Sequence, residues 1–451
     1  MSYPAHIRAI LLLGLPLIGG HLAQFAIGLT DTVMLGWYEV EALAAVTIAS
    51  SYFFVLFLLG SGFAMAVMPM VAAFDAEGDE VNLRRVTRMG LWLSILAAAV
   101  SMPALIWSEP ILLLLGQSEA VATEAARYLR VAGWGLFPAL LVMVLKSYLA
   151  ALERTQIVFW ITVLAAVTNA LANYALIFGN WGAPEMGITG AAVASISTQV
   201  VSLIGVVIYA VAVLPQHELF HRLWRPDWEM FARLFRLGLP IGLTMLTEVT
   251  LFAASAVMLG WLGTVPLAAH GIAVQLASAT FMVHLGLANV ATVRAGNALG
   301  RRDRGHLARG AVAVIGLSLL MSCVTIALFL GIPEVLISAF LETDEPDRVQ
   351  IIAIGTGLLA VAALFQLVDG AQVIAIGLLR GVQDTAVPMI IAAISYWGVG
   401  IPSSYVLGFV FDLGGIGVWL GLVLGLACAG VALMLRFWGP AIRSVGEPVP
   451  N

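Results

Sequence analysis

An internal repeat constrains the fold of this chain more than any other feature. Residues 13–49 read LGLPLIGGHLAQFAIGLTDTVMLGWYEVEALAAVTIA, and residues 237–273 read LGLPIGLTMLTEVTLFAASAVMLGWLGTVPLAAHGIA. The two stretches align without a gap at a constant shift of 224 positions, which places LGLP on LGLP and VMLGW on VMLGW. Because both blocks match at the same shift, the repeat indicates an internal duplication.

The composition identifies the solvent in which the duplicated chain folds. Its 451 residues are 61% hydrophobic and 10% charged, whereas soluble domains are about 25% charged. So little charge cannot cover a water-facing surface, so we predict a polytopic membrane protein. The two cysteines, Cys323 and Cys428, fall inside apolar runs and fit no disulfide or metal-ligand pattern.

Twelve apolar runs are long enough to cross a bilayer, which takes about 20 residues per helix. They cover residues 10–36, 42–73, 89–108, 119–150, 155–178, 188–214, 231–260, 264–298, 309–332, 347–380, 385–408 and 413–436. We therefore predict an all-α integral membrane protein with twelve transmembrane helices in two pseudo-symmetric six-helix lobes. The predicted domains are an N-terminal lobe, 1–215, a cytoplasmic interfacial linker, 216–236, and a C-terminal lobe, 237–451. Parallel repeats predict an axis along the membrane normal.

Basic residues are concentrated in alternate loops, and this distribution predicts the topology. The positive-inside rule places both termini in the cytoplasm, and we expect a multi-pass protein of the bacterial inner membrane. In the linker, Trp224, Trp228, Phe231 and Phe235 recur at spacings of four, three and four, with arginines between them. This pattern predicts an amphipathic helix in the cytoplasmic interface.

Three acids lie well inside predicted spans: Asp31 in helix 1, Glu248 in helix 7 and Asp369 in helix 10. An ionised carboxylate at a helix centre costs roughly 2.5–3.5 kcal/mol on insertion scales. No lysine or arginine lies in the middle of any predicted span to neutralise them. We therefore expect these acids to bind an ion, carry a proton or face water.

Polar residues on neighbouring helices extend this set. Asn169 and Asn173 lie four apart, on one face of helix 5, and their amide oxygens could bind a cation beside Asp31. Hydrogen bonding between helices is an equally good interpretation of the two amides. Thr198 in helix 6 is a weaker candidate, because threonine often bonds to its own helix. Gln372 is one of several glutamines that could line an aqueous cavity.

The combination of motifs resembles the multidrug and toxic compound extrusion (MATE) family, NorM-type branch, over essentially the whole chain. The motifs are LGLPLIGGHLAQFAIGLTDTVMLG in helix 1, TNALANYALIFGNWGAPEMGITGAAVAS over helices 5 and 6, PIGLTMLTEVTLF in helix 7, and QLVDGAQVIAIGLLRGVQDTAVPM over helices 10 and 11.

The resemblance implies two lobes around a central cleft and a cation-coupled export activity. It implies a coupling site at Glu248 and Asp369 in the C-terminal lobe, and a second cation site at Asp31, Asn169, Asn173 and Thr198 in the N-terminal lobe. Sodium is a possible ligand of the three acids. Phe365 stands where some relatives have tyrosine, which removes a hydroxyl beside Asp369.

We therefore expect a secondary active multidrug efflux transporter that exchanges Na⁺ or H⁺ for amphiphilic, cationic organic compounds by alternating access. The sequence does not choose between the two ions. We expect a monomer in the lipid bilayer with no cofactor and no nucleic-acid partner. The alternative is a flippase for a lipid-linked saccharide or another amphipathic lipid, which would need basic residues along the cleft. We expect no enzyme, since no nucleophile–base pair or metal triad is visible. A channel would be distinguished by its inability to accumulate substrate against a gradient.

Overall fold

The computed structural model describes residues 2–446, and almost all of them are helical. Within this range, twelve helices are long and apolar enough to cross a membrane, as predicted. They are α1 (Tyr3–Tyr38), α2 (Val40–Glu77), α3 (Glu80–Ile106), α4 (Glu119–Ala151), α5 (Thr155–Phe178), α6 (Ile188–Val213), α7 (Trp228–Leu262), α8 (Thr264–Gly300), α9 (Arg304–Gly331), α10 (Arg348–Gly381), α11 (Ala386–Val410) and α12 (Gly414–Ser444).

Helix α3 begins earlier than predicted, because its start is set by a polar cap rather than by apolar residues. The Asp79 carboxylate accepts a hydrogen bond from the Asn82 amide at 2.9 Å, which satisfies a free N–H of the first turn. Asp303 caps α9 in the same way by accepting from the His306 amide at 2.8 Å. The two caps are related by the 224-residue shift, so the duplication extends beyond the apolar runs.

Several irregular segments were not visible in the hydrophobic pattern. Short helices lie at Ser108–Leu114 and Pro333–Ser338. Helix α11 contains π-helical segments at Ile394–Gly400 and Val406–Val410, and α12 contains one at Phe437–Ala441. Such segments are rare, and they are frequent at functional sites.

The predicted amphipathic helix in the linker is wrong. Residues 218–227 form turns, and α7 begins at Trp228, after Pro226 and the capping residue Asp227. The aromatic spacing was that of the first turns of α7 together with Trp224, which precedes the helix. Arg85 of α3 binds Asp227, with Nε–Oδ2 at 2.5 Å, and this guanidinium lowers the pKa of the Asp227 carboxyl. The linker is therefore fastened to α3.

Residue contacts divide the chain into two compact units, and two spanning helices contribute to both. The N-unit comprises Gly19–Leu243, and the C-unit comprises the residues up to Ile18 together with those from Thr244 onward. This division differs from the predicted domains 1–215, 216–236 and 237–451, because the chain changes unit inside α1 and α7 rather than in the linker. The two boundaries are equivalent, within one residue, under the 224-residue shift.

Glycines allow close backbone contact with the first half of α1 and with the first half of α7. In the N-unit, a Cβ added to Gly62 of α2 would lie 2.4 Å from the Gly238 carbonyl oxygen of α7. In the C-unit, a Cβ on Gly286 of α8 would lie 3.0 Å from the backbone of Ile18 in α1. Gly62 and Gly286 are related by the repeat. Small residues permit this close packing of membrane helices. Because of the duplication, the same close packing occurs once in each unit.

We predict that Gly62→Ala destabilises the protein, because the added methyl group meets backbone atoms that no side-chain rotation can move. Overpacking of this kind costs about 1–3 kcal/mol, which should lower the thermal unfolding midpoint of the detergent-purified protein. Gly316→Ala is the control, because a Cβ at Gly316 in α9 meets nothing within 4 Å. Equal unfolding midpoints for the two variants would contradict the packing described here.

Candidate functional site

The three buried acids belong to different units. Asp31 of α1 lies in the N-unit, whereas Glu248 of α7 and Asp369 of α10 lie in the C-unit. The structure therefore assigns the acids to two groups, which are described in turn.

In the N-unit, Asp31 is held by two amides of α5. The Asn169 amide nitrogen donates to Asp31 Oδ1 at 3.0 Å, and the Asn173 amide nitrogen donates to the same oxygen at 2.5 Å. Both asparagines are fully buried, and their spacing of four residues places them on one face of α5. The sequence predicted their proximity to Asp31, but N–H groups rather than amide oxygens face the carboxylate.

The remaining polar atoms near Asp31 have separate roles. Asn169 Oδ1 accepts from the Asn173 amide at 3.3 Å, whereas Asn173 Oδ1 is buried without a hydrogen-bond partner. Thr198, predicted to join this group, donates its hydroxyl hydrogen bond to the Ala194 carbonyl of its own helix at 2.8 Å. The N-unit site is thus one carboxylate, two amide donors and one available amide oxygen.

In the C-unit, Glu248 and Asp369 lie close enough to interact electrostatically. Asp369 is 3% exposed, and its Oδ1 is buried without a hydrogen-bond partner. Glu248 is partly buried. Within residues 2–446, neither carboxylate forms a side-chain hydrogen bond or an ion pair, in contrast to Asp31. Two acceptors inside apolar helices are therefore left without a protein donor.

Two further polar side chains adjoin this pair. Gln372 follows Asp369 by three residues on α10 and donates its amide N–H to the Tyr396 hydroxyl of α11. Both side chains are fully buried, and Tyr396 interacts electrostatically with both carboxylates. Gln372 Oε1 has no hydrogen-bond partner. Tyr396 was missed by the sequence analysis; the only signal was the polar pair Ser395–Tyr396 inside an apolar helix, within a π-helical segment.

Arg380 acts on one of these acids from the end of a span, whereas the sequence analysis considered only basic residues in the middle of spans. It lies in the last turn of α10, as its position at the end of predicted helix 347–380 implies, and its side chain is buried. Its charge acts on Glu248, although the two groups do not form an ion pair. The negative charge of Glu248 is therefore partly compensated by Arg380, although the two side chains are not in direct contact.

Aromatic rings pack against the helix that carries Asp369. Phe365, one turn before Asp369, contacts Phe252 and Trp419 with ring centroids 5.9 and 5.5 Å apart. Trp419 Nε1 donates to His270 Nδ1 at 3.0 Å, so His270 is a satisfied core histidine. Phe365 brings no hydroxyl to this site, whereas Tyr396 brings one from α11.

The C-unit arrangement is suited to a hard cation or a proton. Carboxylate, amide and hydroxyl oxygens are the ligands that hard cations prefer. Among residues 2–446, no three or more His, Cys, Asp or Glu side chains are placed to hold a metal ion together.

Comparison with known proteins adds independent information. The MatE family model matches residues 16–175 and 240–406, one segment in each repeat. A probable multidrug resistance protein NorM of Rhizobium meliloti is 45% identical over 100% of this chain and 97% of its own length. A probable multidrug resistance protein NorM of Synechocystis is 34% identical over 99% of this chain and 97% of its own.

Solved structures share the fold. The eukaryotic MATE transporter AtDTX14 superimposes with a TM-score of 0.86 at 18% identity, covering 99% of both chains. A MATE crystal structure described as the straight conformation gives a TM-score of 0.87 at 20% identity, covering 97% of both chains. The family model and the relatives together cover nearly all of the sequence, and the chain belongs to the MatE family.

Proposed function

We propose that this protein is a secondary active multidrug efflux transporter that exchanges Na⁺ or H⁺ for amphiphilic organic cations by alternating access. The observation that carries the proposal is the pair Glu248, which is partly buried, and Asp369, which is buried: within residues 2–446, neither carboxylate has a hydrogen bond or an ion pair. Membership in the MatE family and full-length relatives described as multidrug resistance proteins support the transport activity and the substrate class.

The cost of burying charge explains why these carboxylates point to ion coupling. An ionised acid at the membrane centre costs roughly 2.5–3.5 kcal/mol on insertion scales, and proteins usually offset this cost with a fixed partner. Glu248 and Asp369 have no fixed partner in contact. A proton or a sodium ion from solution neutralises the pair and can leave again, which is the requirement for a coupling ion.

Neighbouring oxygens support a defined cation site rather than an isolated charge. Gln372 Oε1 and Asp369 Oδ1 are both buried acceptors without a donor, and the Tyr396 hydroxyl adjoins them. We propose that Glu248 and Asp369 supply the negative charge and that Gln372 and Tyr396 complete the oxygen set. The hydrogen bond that the Gln372 amide donates to the Tyr396 hydroxyl would keep both ligands oriented.

The N-unit site has a different proposed role. Asp31 already accepts hydrogen bonds from Asn169 and Asn173, which offset part of the cost of burying its charge. In its ionised form this carboxylate attracts a cationic substrate or a second cation, with Asn173 Oδ1 as an additional ligand. We propose that ion binding at the C-unit site is the principal coupling step. We propose that Asp31 attracts the cationic substrate or a second cation electrostatically.

Coupling requires that the ion and the drug favour different conformations. Competition of both cations for the same carboxylates supplies this difference directly: the ion displaces the drug on the outer side, and its release on the inner side restores the drug site. A membrane potential of 100 mV adds about 2.3 kcal/mol for each positive charge that moves inward. The potential therefore favours drug export when more positive charge enters with the ions than leaves with the drug.

A lipid-linked saccharide flippase is the weaker proposal. Recognition of a phosphate would need a basic side chain that is available to it. Two basic residues of the spanning helices already have protein contacts: Lys146 Nζ donates to Thr162 Oγ1 at 2.8 Å, and Arg294 binds two histidines. The charge of Arg380 acts on Glu248 without direct contact, and this carboxylate would repel a phosphate.

The exporter proposal predicts that Glu248→Gln and Asp369→Asn each abolish cation-driven efflux. Each substitution removes a charge that the coupling ion must neutralise, while it keeps the side-chain size. Efflux of a fluorescent organic cation from proteoliposomes, driven separately by a Na⁺ gradient and a pH gradient, measures the effect. Glu334→Gln, at the start of a short helix outside the site, should retain full activity. Wild-type rates in both site variants would refute the assignment.

Loss of the neutral ligands should weaken cation binding without removing it. We expect Gln372→Leu and Tyr396→Phe each to raise the Na⁺ or H⁺ concentration for half-maximal efflux by about 10–100-fold, as for other groups that support an ion site. Tyr405→Phe is the matched control, because Tyr405 lies on the same helix and is 49% exposed. If all three variants show the same ion dependence, Gln372 and Tyr396 lie outside the site.

A further inference from the structure

A second buried polar group lies in the C-unit, at the end of α1 where the chain begins. His6 of α1 is fully buried, and Arg294 of α8 and His306 of α9 are each 8% exposed. An Arg294 terminal nitrogen lies 2.7 Å from His6 Nδ1 and 3.4 Å from His306 Nε2. The two imidazole rings are 4.7 Å apart between centroids. Three helices therefore meet at one arginine and two histidines.

The chemistry of these contacts defines the charge of both histidines. A guanidinium has only donors and does not lose its proton in proteins. Each hydrogen bond from Arg294 therefore requires an unprotonated nitrogen, at Nδ1 of His6 and at Nε2 of His306. Protonation of either nitrogen removes an acceptor and places a second cation against Arg294. The contact that joins α1 to α8 and α9 exists only while the histidines are neutral.

The packing leaves little room for the cluster to adapt. A Cβ on Gly310 of α9 would lie 3.6 Å from His6 Nδ1, so the helix backbone closes over the imidazole. The adjoining cavity, lined by Arg294, His306 and Gly310, has a volume of about 10 Å³. Such a space holds at most about one water molecule. A protonated His6 cannot be solvated in place, so it must move away from Arg294.

The other charges near the cluster are mostly positive and increase this repulsion. Arg294, His306, Arg309 and the amino terminus act on His6. Arg294, Arg301, the amino terminus and the carboxylate of Asp303 act on His306. Asp303 is the only acid in this set, and it is engaged as the cap of α9 through the His306 backbone amide. No acid in the set bonds to the His6 side chain.

We infer that His6, Arg294 and His306 form a pH-sensitive latch that holds the first part of α1 on α8 and α9 at neutral pH and releases it on acidification. The location gives the latch its importance. The residues up to Ile18 belong to the C-unit, and the rest of α1 belongs to the N-unit. Release therefore loosens the start of α1, while the close packing of Ile18 on Gly286 continues to hold the far end of this section in the C-unit. This device is separate from Glu248 and Asp369 and does not depend on the coupling ion.

Hydrogen–deuterium exchange of the full-length protein in detergent tests the latch without relying on transport. Exchange of peptides that cover residues 3–18 is compared at about pH 8 and about pH 5.5, which brackets histidine protonation, after correction for the intrinsic pH dependence of exchange. We expect the wild type to lose protection in this segment by about tenfold or more at the lower pH, as for loss of a charged hydrogen bond. A variant with His6→Gln and His306→Gln should stay protected, because glutamine accepts from Arg294 and does not titrate.

The control variant is His221→Gln, which replaces an exposed histidine in the turns between α6 and α7 and should keep the wild-type pH response. Equal protection of residues 3–18 at both pH values in the wild type would overturn the latch. The same loss of protection in the double variant as in the wild type would also overturn it. If the double variant does not fold, the single His6→Gln variant replaces it: it should lose less protection at the lower pH than the wild type, and an equal loss would overturn the latch.

Discussion

A carboxylate inside a lipid bilayer must be hydrogen-bonded, paired with a cation or neutralised. This protein meets that constraint in two ways. Asp31 accepts two hydrogen bonds from buried asparagines, so its charge has fixed support. Within residues 2–446, Glu248 and Asp369 have neither, and the buried Asp369 Oδ1 and Gln372 Oε1 accept no hydrogen bond. The first arrangement gives a carboxylate fixed hydrogen-bond support, whereas the second lacks such support and is the basis of the proposed coupling site.

The duplication repeats the helix caps and the close helix packing in both units, but it does not repeat the buried acids. The caps Asp79 and Asp303 and the close approaches at Gly62 and Gly286 recur at the 224-residue shift. The acids do not recur: Asp31 corresponds to Ser255, and Glu248 corresponds to Gln24. Ser255 is buried and bonds to the Phe252 carbonyl of its own helix at 2.7 Å. The two repeats therefore share their packing and differ in their ionisable groups, which gives the two units different electrostatic roles.

The sequence predicts those features that depend on single residues or on long runs. The twelve spans were predicted from the lengths of the apolar runs. The three acids were identified as candidates because a single charge is costly inside the bilayer. Features set outside the apolar runs were missed, such as the start of α3 at the Asp79 cap. The prediction of an amphipathic helix in the linker failed because the periodic residues Trp228, Phe231 and Phe235 belong to the start of α7 and not to a separate helix. These errors arise where a polar cap or a helix extension beyond the membrane decides the boundary.

The site was predicted less completely than the fold, because its remaining members come together only in three dimensions. Tyr396 lies on α11 and reaches the acids only through the packing of that helix and its hydrogen bond with Gln372. Arg380 is the last residue of predicted helix 347–380, and only the structure shows that its side chain is buried and acts on Glu248. The amide orientation of Asn173 depends on the position of Asp31 on another helix. Neither spacing nor composition contains this information.

The central claim is that an exchangeable cation and the drug compete for Glu248 and Asp369. Ion release on drug binding tests it most directly, with purified protein equilibrated with Na⁺ at fixed pH. A saturating organic cation should release about one Na⁺ or H⁺ per protein molecule, and the Glu248→Gln/Asp369→Asn variant should release none. Drug binding by the wild type without ion release, or equal release by the variant, would contradict the account.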